Sequence, residues 1–327
     1  MLKNYVKILY MCISCFFGLL TVIFPVFILP FTIIASVSFA IVLVNEKQPY
    51  FLIGMTIFTF IAVLIFTSSV TTSFLAVFTF FPIGLSLGIS YINKSNINKT
   101  VSLSFIFSII GMLIIFIFFI FENSRGFSIE EAFTPIKSFL NTVFSAYFNV
   151  LSQNMDTSII GNMTETDFAK QMTAVLLELS PALIAVYLGL FAIICSYWLL
   201  KFMLKKIGND AKNMSVFTTL TISKTGAVLY FISLTLSLLF ADNMLISSIL
   251  YNITFIFSYV FAYSSLSLIG FYMNYKNFSP YIKIFVFITV IGFCILPFGL
   301  INILSVLGVS DSIYNLRKRI TKGIEHL

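Results

Sequence analysis

Long apolar blocks, separated by short polar breaks, organise this chain. A hydrocarbon core about 30 Å thick takes about 20 helical residues at about 1.5 Å each to cross. Blocks of that kind run over residues 8–24, 31–44, 50–66, 74–92, 101–121, 173–200, 225–240, 245–273 and 282–307. Pro25 and Pro30 break the first pair, and a Thr/Ser turn separates the third block from the fourth. The ninth is interrupted by Pro297-Phe298-Gly299, so it reads either as one kinked crossing or as two short limbs that return the chain to its starting side. The pattern predicts an all-α, polytopic transmembrane helical bundle of nine to ten membrane segments.

A mixed stretch of some fifty residues lies between the fifth and sixth blocks. There Thr134-Pro135 has the form of a helix N-cap followed by Pro at the first helical position. Ile136, Leu140, Val143, Tyr147 and Val150 recur at helical spacing, with Lys137, Asn141, Ser145 and Asn149 opposite. This predicts one amphipathic extracytoplasmic helix, lying on the membrane or across the mouth of the bundle. Thr164 and Asp167 form a second cap leading into the sixth block. The divisions are therefore 1–121, N-terminal transmembrane helices; 122–172, the amphipathic region; 173–316, C-terminal transmembrane helices; and 317–327, a basic tail.

Composition strengthens the membrane reading. Apolar residues make up 59% of the 327, including 40 Phe, and charged residues only 9%, with a mean hydropathy of +1.05. A soluble domain carries about 25% charged residues, enough to solvate its surface. The net charge is +7. With the N-terminus inside, Lys47, Lys94, Lys99, Lys201, Lys205, Lys206, Lys212, Lys276 and Lys283 all fall inside, as the preference of cytoplasmic loops for Lys and Arg requires. The 122–172 region, with Glu122, Glu130, Glu131, Asp156, Glu165 and Asp167 against three bases, falls outside. Arg317, Lys318, Arg319 and Lys322 favour an inside tail, and hence ten crossings. The expected place is the bacterial cytoplasmic membrane, with anionic lipid headgroups as neighbours and no nucleic-acid footprint. No cleavable signal peptide is evident after Lys3 and Lys7. Cys12, Cys15, Cys195 and Cys294 lie in apolar blocks and read as small hydrophobes.

Candidate chemistry is sparse. Gly84-Leu-Ser86-Leu-Gly88 matches the G-x-S-x-G nucleophile elbow, but that chemistry needs a strand-to-helix turn and an imidazole, and the one histidine is His326. Gly84 and Gly88, one turn apart, suit close helix packing better, as do Ser14 and Gly18. Cys12-x-x-Cys15 lacks the electropositive, accessible setting of a redox pair. Glu178 lies near the outer interface before Pro181, and Lys224 and Asp242 lie at membrane edges, so no charge occupies a predicted midplane. Asn252 and Asn302 are the deeper polar side chains, suited to a ligand or to interhelical hydrogen bonds. No nucleotide-binding loop is present. No catalytic residue, cofactor or metal site is expected, and the chain reads as non-enzymatic.

Near the C-terminus, Ile-Leu-Pro297-Phe, then Leu307-Gly308-Val-Ser-Asp311, then Tyr314-Asn-Leu-Arg317-Lys318-Arg319 resembles the closing signature of the YybS-like family, uncharacterised multi-pass proteins of Firmicutes. The resemblance implies that the N-terminal half is similar to the substrate-binding S components of energy-coupling-factor transporters, which hold a small molecule and lean on a separate ATPase module. The Ala-x-x-x-Ala docking pattern common in the first helix of those components is absent, with Ser14-x-x-x-Gly18 a loose substitute. The expectation is a transporter-like protein that binds or conducts a small molecule without its own energy source. The alternative is a scaffold that organises partner membrane proteins through small-residue helix faces. A polar-lined cavity open to one side separates the first from the second.

Overall fold

A computed structural model describes residues 4–46, 50–124, 128–154, 164–208, 214–295 and 300–322. Among the described residues all regular structure is helical, and seven helices are long and apolar enough to cross a membrane. They are α1 (Asn4–Ile23), α2 (Ile28–Asn45), which follows a short turn at Pro25–Phe27, α3 (Tyr50–Thr67), α4 (Val70–Ile92), α5 (Ile97–Asn123), α7 (Glu165–Ile207) and α9 (Met244–Tyr275). Shorter helices complete the order: α6 (Ile129–Asn154), α8 (Lys224–Leu239), α10 (Pro280–Ile295), α11 (Leu300–Tyr314) and α12 (Leu316–Lys322).

Local chemistry explains most boundaries. α4 begins four residues earlier than the apolar pattern predicts, at Val70. Ser69 Oγ accepts from Thr72 N–H, and the Glu122 carboxylate at the end of α5 accepts from Thr71 N–H at 2.8 Å. Two orphan donors of that helix start are thus satisfied, which lets Thr71, Thr72 and Ser73 join the helix. The Thr164 cap forms as expected, with Thr164 Oγ1 accepting from Asp167 N–H. The other expected cap does not form. α6 starts at Ile129, with Ser128 Oγ accepting from Glu131 N–H, and Pro135 lies inside the helix while the Thr134 hydroxyl donates back to Glu130 O.

The two ends of the bundle differ in charge. At one end Lys7 pairs with Glu46, joining the start of α1 to the end of α2. Asn98, at the start of α5, bonds Thr221 at the same end, and Lys283, at the start of α10, donates to Asn274, near the end of α9. At the other end Glu122 meets Ser69 and Thr71. The path alternates between these ends through α1–α5, α7, α8 and α9. The last apolar block is two helices: α10 leaves the basic end, and by Arg317 the chain is back there, bonded to Ser264, Ser267 and Thr218. The Pro297-Phe298-Gly299 break itself lies outside the described residues. Among the described residues seven helices are long enough to span, and α8 and α11 are shorter apolar helices, so the out-and-back path accords with the ten-segment expectation.

α6 is amphipathic about a different stripe from the expected one. Phe133, Ile136, Leu140, Phe144 and Phe148 turn inward; Phe133 meets Phe116 and Phe119 of α5, and Phe148 meets Phe168 of α7. Val143, Tyr147 and Val150 are exposed, while Asn141 and Ser145 are half-buried. Ile136 and Leu140 belong to both stripes, and Phe139 stays exposed, so the contacts with α5 and α7 decide which phenylalanines pack. α7 continues through a π-helical stretch, Ala185–Phe191, to 43 residues. That is about 64 Å, twice the hydrocarbon thickness, so its first part stands beyond the membrane with α6.

The core joins the two halves of the bundle. One cluster packs Ile41, Ile83, Leu87, Ile193, Leu200 and Leu266 from α2, α4, α7 and α9. Another packs Ala35, Phe39, Met55 and Phe80 among α1–α4. Outward-facing Ile65, Phe66 and Leu238 are among the many exposed large apolar side chains, as a lipid-facing surface requires.

Candidate functional site

Between α7 and α8 the chain passes through an extended run, 214–221, with one short turn at Phe217–Thr219. Helical hydrogen bonds cannot satisfy such backbone, and Met214, Phe217 and Leu220 are buried, so its peptide groups need other partners. Side chains from the surrounding helices supply the partners. The Lys201 ammonium donates to Met214 O (3.0 Å) and Ser215 O (2.9 Å), and the Tyr197 hydroxyl donates to Ser215 O (2.7 Å). Ser267 Oγ donates to Phe217 O at 2.8 Å. Asn98 accepts from Thr221 N–H at 3.0 Å and donates to Thr221 Oγ1 at 3.1 Å.

Arg317 closes this strap. α11 stops at Tyr314, and Asn315 takes a left-handed conformation (φ 49°), which its short polar side chain tolerates. Asn315 N–H donates to Asp311 O at 2.9 Å, and the reversal swings Arg317 back over α11. Its Nε donates to Asp311 Oδ2 at 2.9 Å, Nη1 to Thr218 O, and Nη2 to Leu220 O at 2.8 Å. Ser264 O and Ser267 Oγ lie within 3.4 and 3.2 Å of Nη2, and the Phe271 ring is 5.9 Å from the guanidinium carbon. The side chains are 12% and 4% exposed for Arg317 and Asp311. A planar fork with five donors fits this ring of acceptors; an ammonium would not span it.

A cleft of about 540 Å³ opens beside the clasp at the basic end. Polar groups of Asn98, Thr221, Ser312 and Asn315 reach a lining whose exposed area is mostly apolar, with Ile222 and Phe271 in it, and Arg317, Lys224 and Lys318 supply positive charge beside Asp311. Three cations against one carboxylate leave it net positive, suited to a small anion such as a carboxylate or phosphate ester.

The residues singled out from sequence lie elsewhere. Asn252 and Glu178 do meet, but through the Glu178 backbone. Asn252 Nδ2 donates to Glu178 O (2.8 Å), and Asn252 Oδ1 accepts from Ala182 N–H (3.0 Å). The carboxamide therefore reaches both ends of the turn that Pro181 disrupts, a bond between α9 and α7. The Glu178 side chain is exposed, and so is Asn302. Neither lines the cleft. Gly84 approaches the backbone at Ser36, where a Cβ would come within 2.8 Å of the carbonyl oxygen. Gly88 abuts Leu43, Gly18 abuts Phe80 and Thr59, and Ser14 Oγ donates to Ala35 O. All four face the interior of the bundle. Ser86 is fully buried in α4, its Oγ hydrogen-bonded to the Ile83 carbonyl oxygen at 2.9 Å and paired with Ser104 Oγ at 2.6 Å; His326 lies outside the described residues. Cys12 and Cys15 are free thiols, one exposed and one buried, and Cys195 is also free.

Asp311 and Arg317 carry the clasp, whereas charge patterning placed Arg317 in a basic tail and gave Asp311 no role; Arg317 is instead packed against Asp311 and the strap. The usable signal was a lone acid ending an apolar helix, an Arg six residues on, and an Asn between them able to reverse the chain. Fold and cleft together define a polytopic α-helical membrane protein with a net-positive recess at one end. The chain belongs to a family described as predicted membrane protein (DUF2232), whose family model matches residues 12–312. No curated protein and no solved structure shows a significant match to it.

Proposed function

We propose that this protein is a transporter-like membrane protein that takes a small anionic solute into the cleft at its basic end, without an energy source of its own. The observation that carries the reading is the net-positive recess of about 540 Å³ beside the Arg317–Asp311 clasp, where Lys224, Lys318 and Asn98 meet an apolar lining at one end of the bundle. Irregular backbone in membrane proteins is tolerated where it lines a cavity, and the 214–221 strap lines this one. By the preference of cytoplasmic loops for Lys and Arg, the basic end faces the cytoplasm. The narrower reading, a YybS-like protein of a Firmicutes cytoplasmic membrane with S-component-like N-terminal helices, is consistent with this. Docking on an ATPase module through Ser14 and Gly18 is not supported, because both residues are packed inside.

The reading is non-enzymatic: Ser86 is an interior helix contact with no imidazole beside it among the described residues. The scaffold alternative loses its nominated surface, since Gly84, Gly88, Ser14 and Gly18 are occupied within the chain. Untargeted mass spectrometry of the purified full chain, followed by thermal-shift titration with each anion found, tests the proposal. Lys224→Ala with Lys318→Ala should weaken binding about tenfold or more, as loss of two nearby charges predicts. If no solute co-purifies and no anionic metabolite shifts the melting temperature, the transporter reading fails and a scaffold is favoured.

A further inference from the structure

A second recess, of about 410 Å³, lies on the other side of the strap, between the end of α7 and the start of α10. Thr218 touches both recesses, but their chemistry differs. Three ammonium groups line this one: Lys201 and Lys205, one turn apart on α7, and Lys283 on α10. Among the described residues no carboxylate lines it. Lys201 holds the Met214 and Ser215 carbonyls and Lys283 holds Asn274 Oδ1, and among the described residues these partners are neutral oxygens with no carboxylate beside them. Apart from Thr218 and Asn274, the rest of the wall is apolar and aromatic. Trp198 is 48% exposed and packs edge-on to Phe217 at 5.5 Å, and Phe202 and Val216 are also exposed.

This arrangement has two parts in a definite order: cations at the basic end, and aromatic wall on the outward, lipid-facing surface of α7. A free phosphate would satisfy the lysines and leave the aromatic wall bare. A zwitterionic lipid would cover the wall and leave the charges uncompensated. We infer that this recess is a binding site for an anionic phospholipid, its phosphate among Lys201, Lys205 and Lys283 and its acyl chains along Trp198 and Phe202. The site is separate from the solute cleft and does not depend on that proposal. Its location agrees with two general tendencies: basic pockets between helices near an anionic leaflet collect acidic headgroups, and tryptophan concentrates at headgroup level.

Trp198 is the sole tryptophan of the chain, so its fluorescence reports on this recess alone. The full chain is reconstituted in phosphatidylcholine vesicles carrying a minor fraction of acyl-brominated phosphatidylglycerol or, in parallel, acyl-brominated phosphatidylcholine. Bromine quenches tryptophan only near contact. The expected result is several-fold stronger quenching by the brominated phosphatidylglycerol, reversed by unbrominated phosphatidylglycerol and unaffected by inorganic phosphate. Lys205→Gln with Lys283→Gln should abolish the preference, whereas Lys94→Gln with Lys99→Gln, an equal loss of charge away from the recess, should preserve it. Equal quenching by the two brominated lipids overturns the inference. Loss of the preference on adding phosphate assigns the lysines to a free anion instead. Loss in both double variants would show a diffuse charge effect and no site.

Discussion

At the scale of single residues, what a neighbour is made of decides the cost of a change. A Cβ at position 84 meets the Ser36 carbonyl oxygen at 2.8 Å, which is backbone and cannot swing aside. At position 88 the obstacle is Leu43 Cδ2 at 2.5 Å, closer but at the end of a rotatable side chain. Gly84→Ala is therefore expected to cost more than Gly88→Ala, in the range of about 1–3 kcal/mol typical of overpacking. Thermal melts of the two detergent-solubilised variants check the order, and a larger loss for Gly88→Ala would show that α2 yields more easily than Leu43. Ser86→Ala, between them, removes one hydroxyl pair with Ser104. Interhelical bonds of this kind average about 0.6 kcal/mol, so the variant should fold, and the wild-type Ser86 should resist fluorophosphonate labelling.

At the scale of elements, the strap and the clasp form one unit. Arg317 joins α11 and α12 to a segment 97 to 99 residues earlier, and Asp311 is buried beneath it. Arg317→Ala leaves that carboxylate without its partner and uncaps two carbonyls, a loss of about 3–5 kcal/mol by the behaviour of broken buried pairs. Arg317→Lys keeps the charge but not the fork, and should recover only part of this. The combined Arg317→Ala and Asp311→Asn variant should melt higher than Arg317→Ala alone, because the stranded charge is gone. If it melts lower, the carbonyls and not the ion pair carry the contact. Fluorescence-detected gel filtration with a melting step reads all three. None of this was legible from spacing: residues six apart fall on different helix faces, and only the left-handed turn at Asn315 brings them together.

At the scale of the whole molecule, the charge asymmetry predicts the orientation and the α10–α11 pair predicts a tenth crossing. With the basic end in the cytoplasm, a cysteine at Asp242 should react with an impermeant maleimide on intact cells, and one at Asn277 should not, in a background lacking the four native cysteines. Labelling at Asn277 alone would invert the topology. A fluorescent protein fused after Leu327 should be bright, because the α10–α11 pair returns the chain to the end where Lys283 and Arg317 lie. A dark fusion with active alkaline phosphatase in its place would mean that the last two helices cross only once.

The sequence by itself determined the solvent, the helical class, the position of nearly every span and which loops share a side. Each of these depends on sums over many residues, apolar length against membrane thickness and Lys/Arg against Asp/Glu, so single substitutions hardly disturb them. Only the tertiary structure decided which stripe of α6 packs, that Asn252 serves the turn at Pro181, and that Asp311, Arg317 and Asn98 gather around an irregular strap. The physical reason is that these contacts join residues 70 to 123 positions apart in the chain, or reverse it at one dihedral angle. In a chain this apolar, most helix faces look alike, and the few polar groups acquire their meaning from the unpaired backbone they are brought to meet.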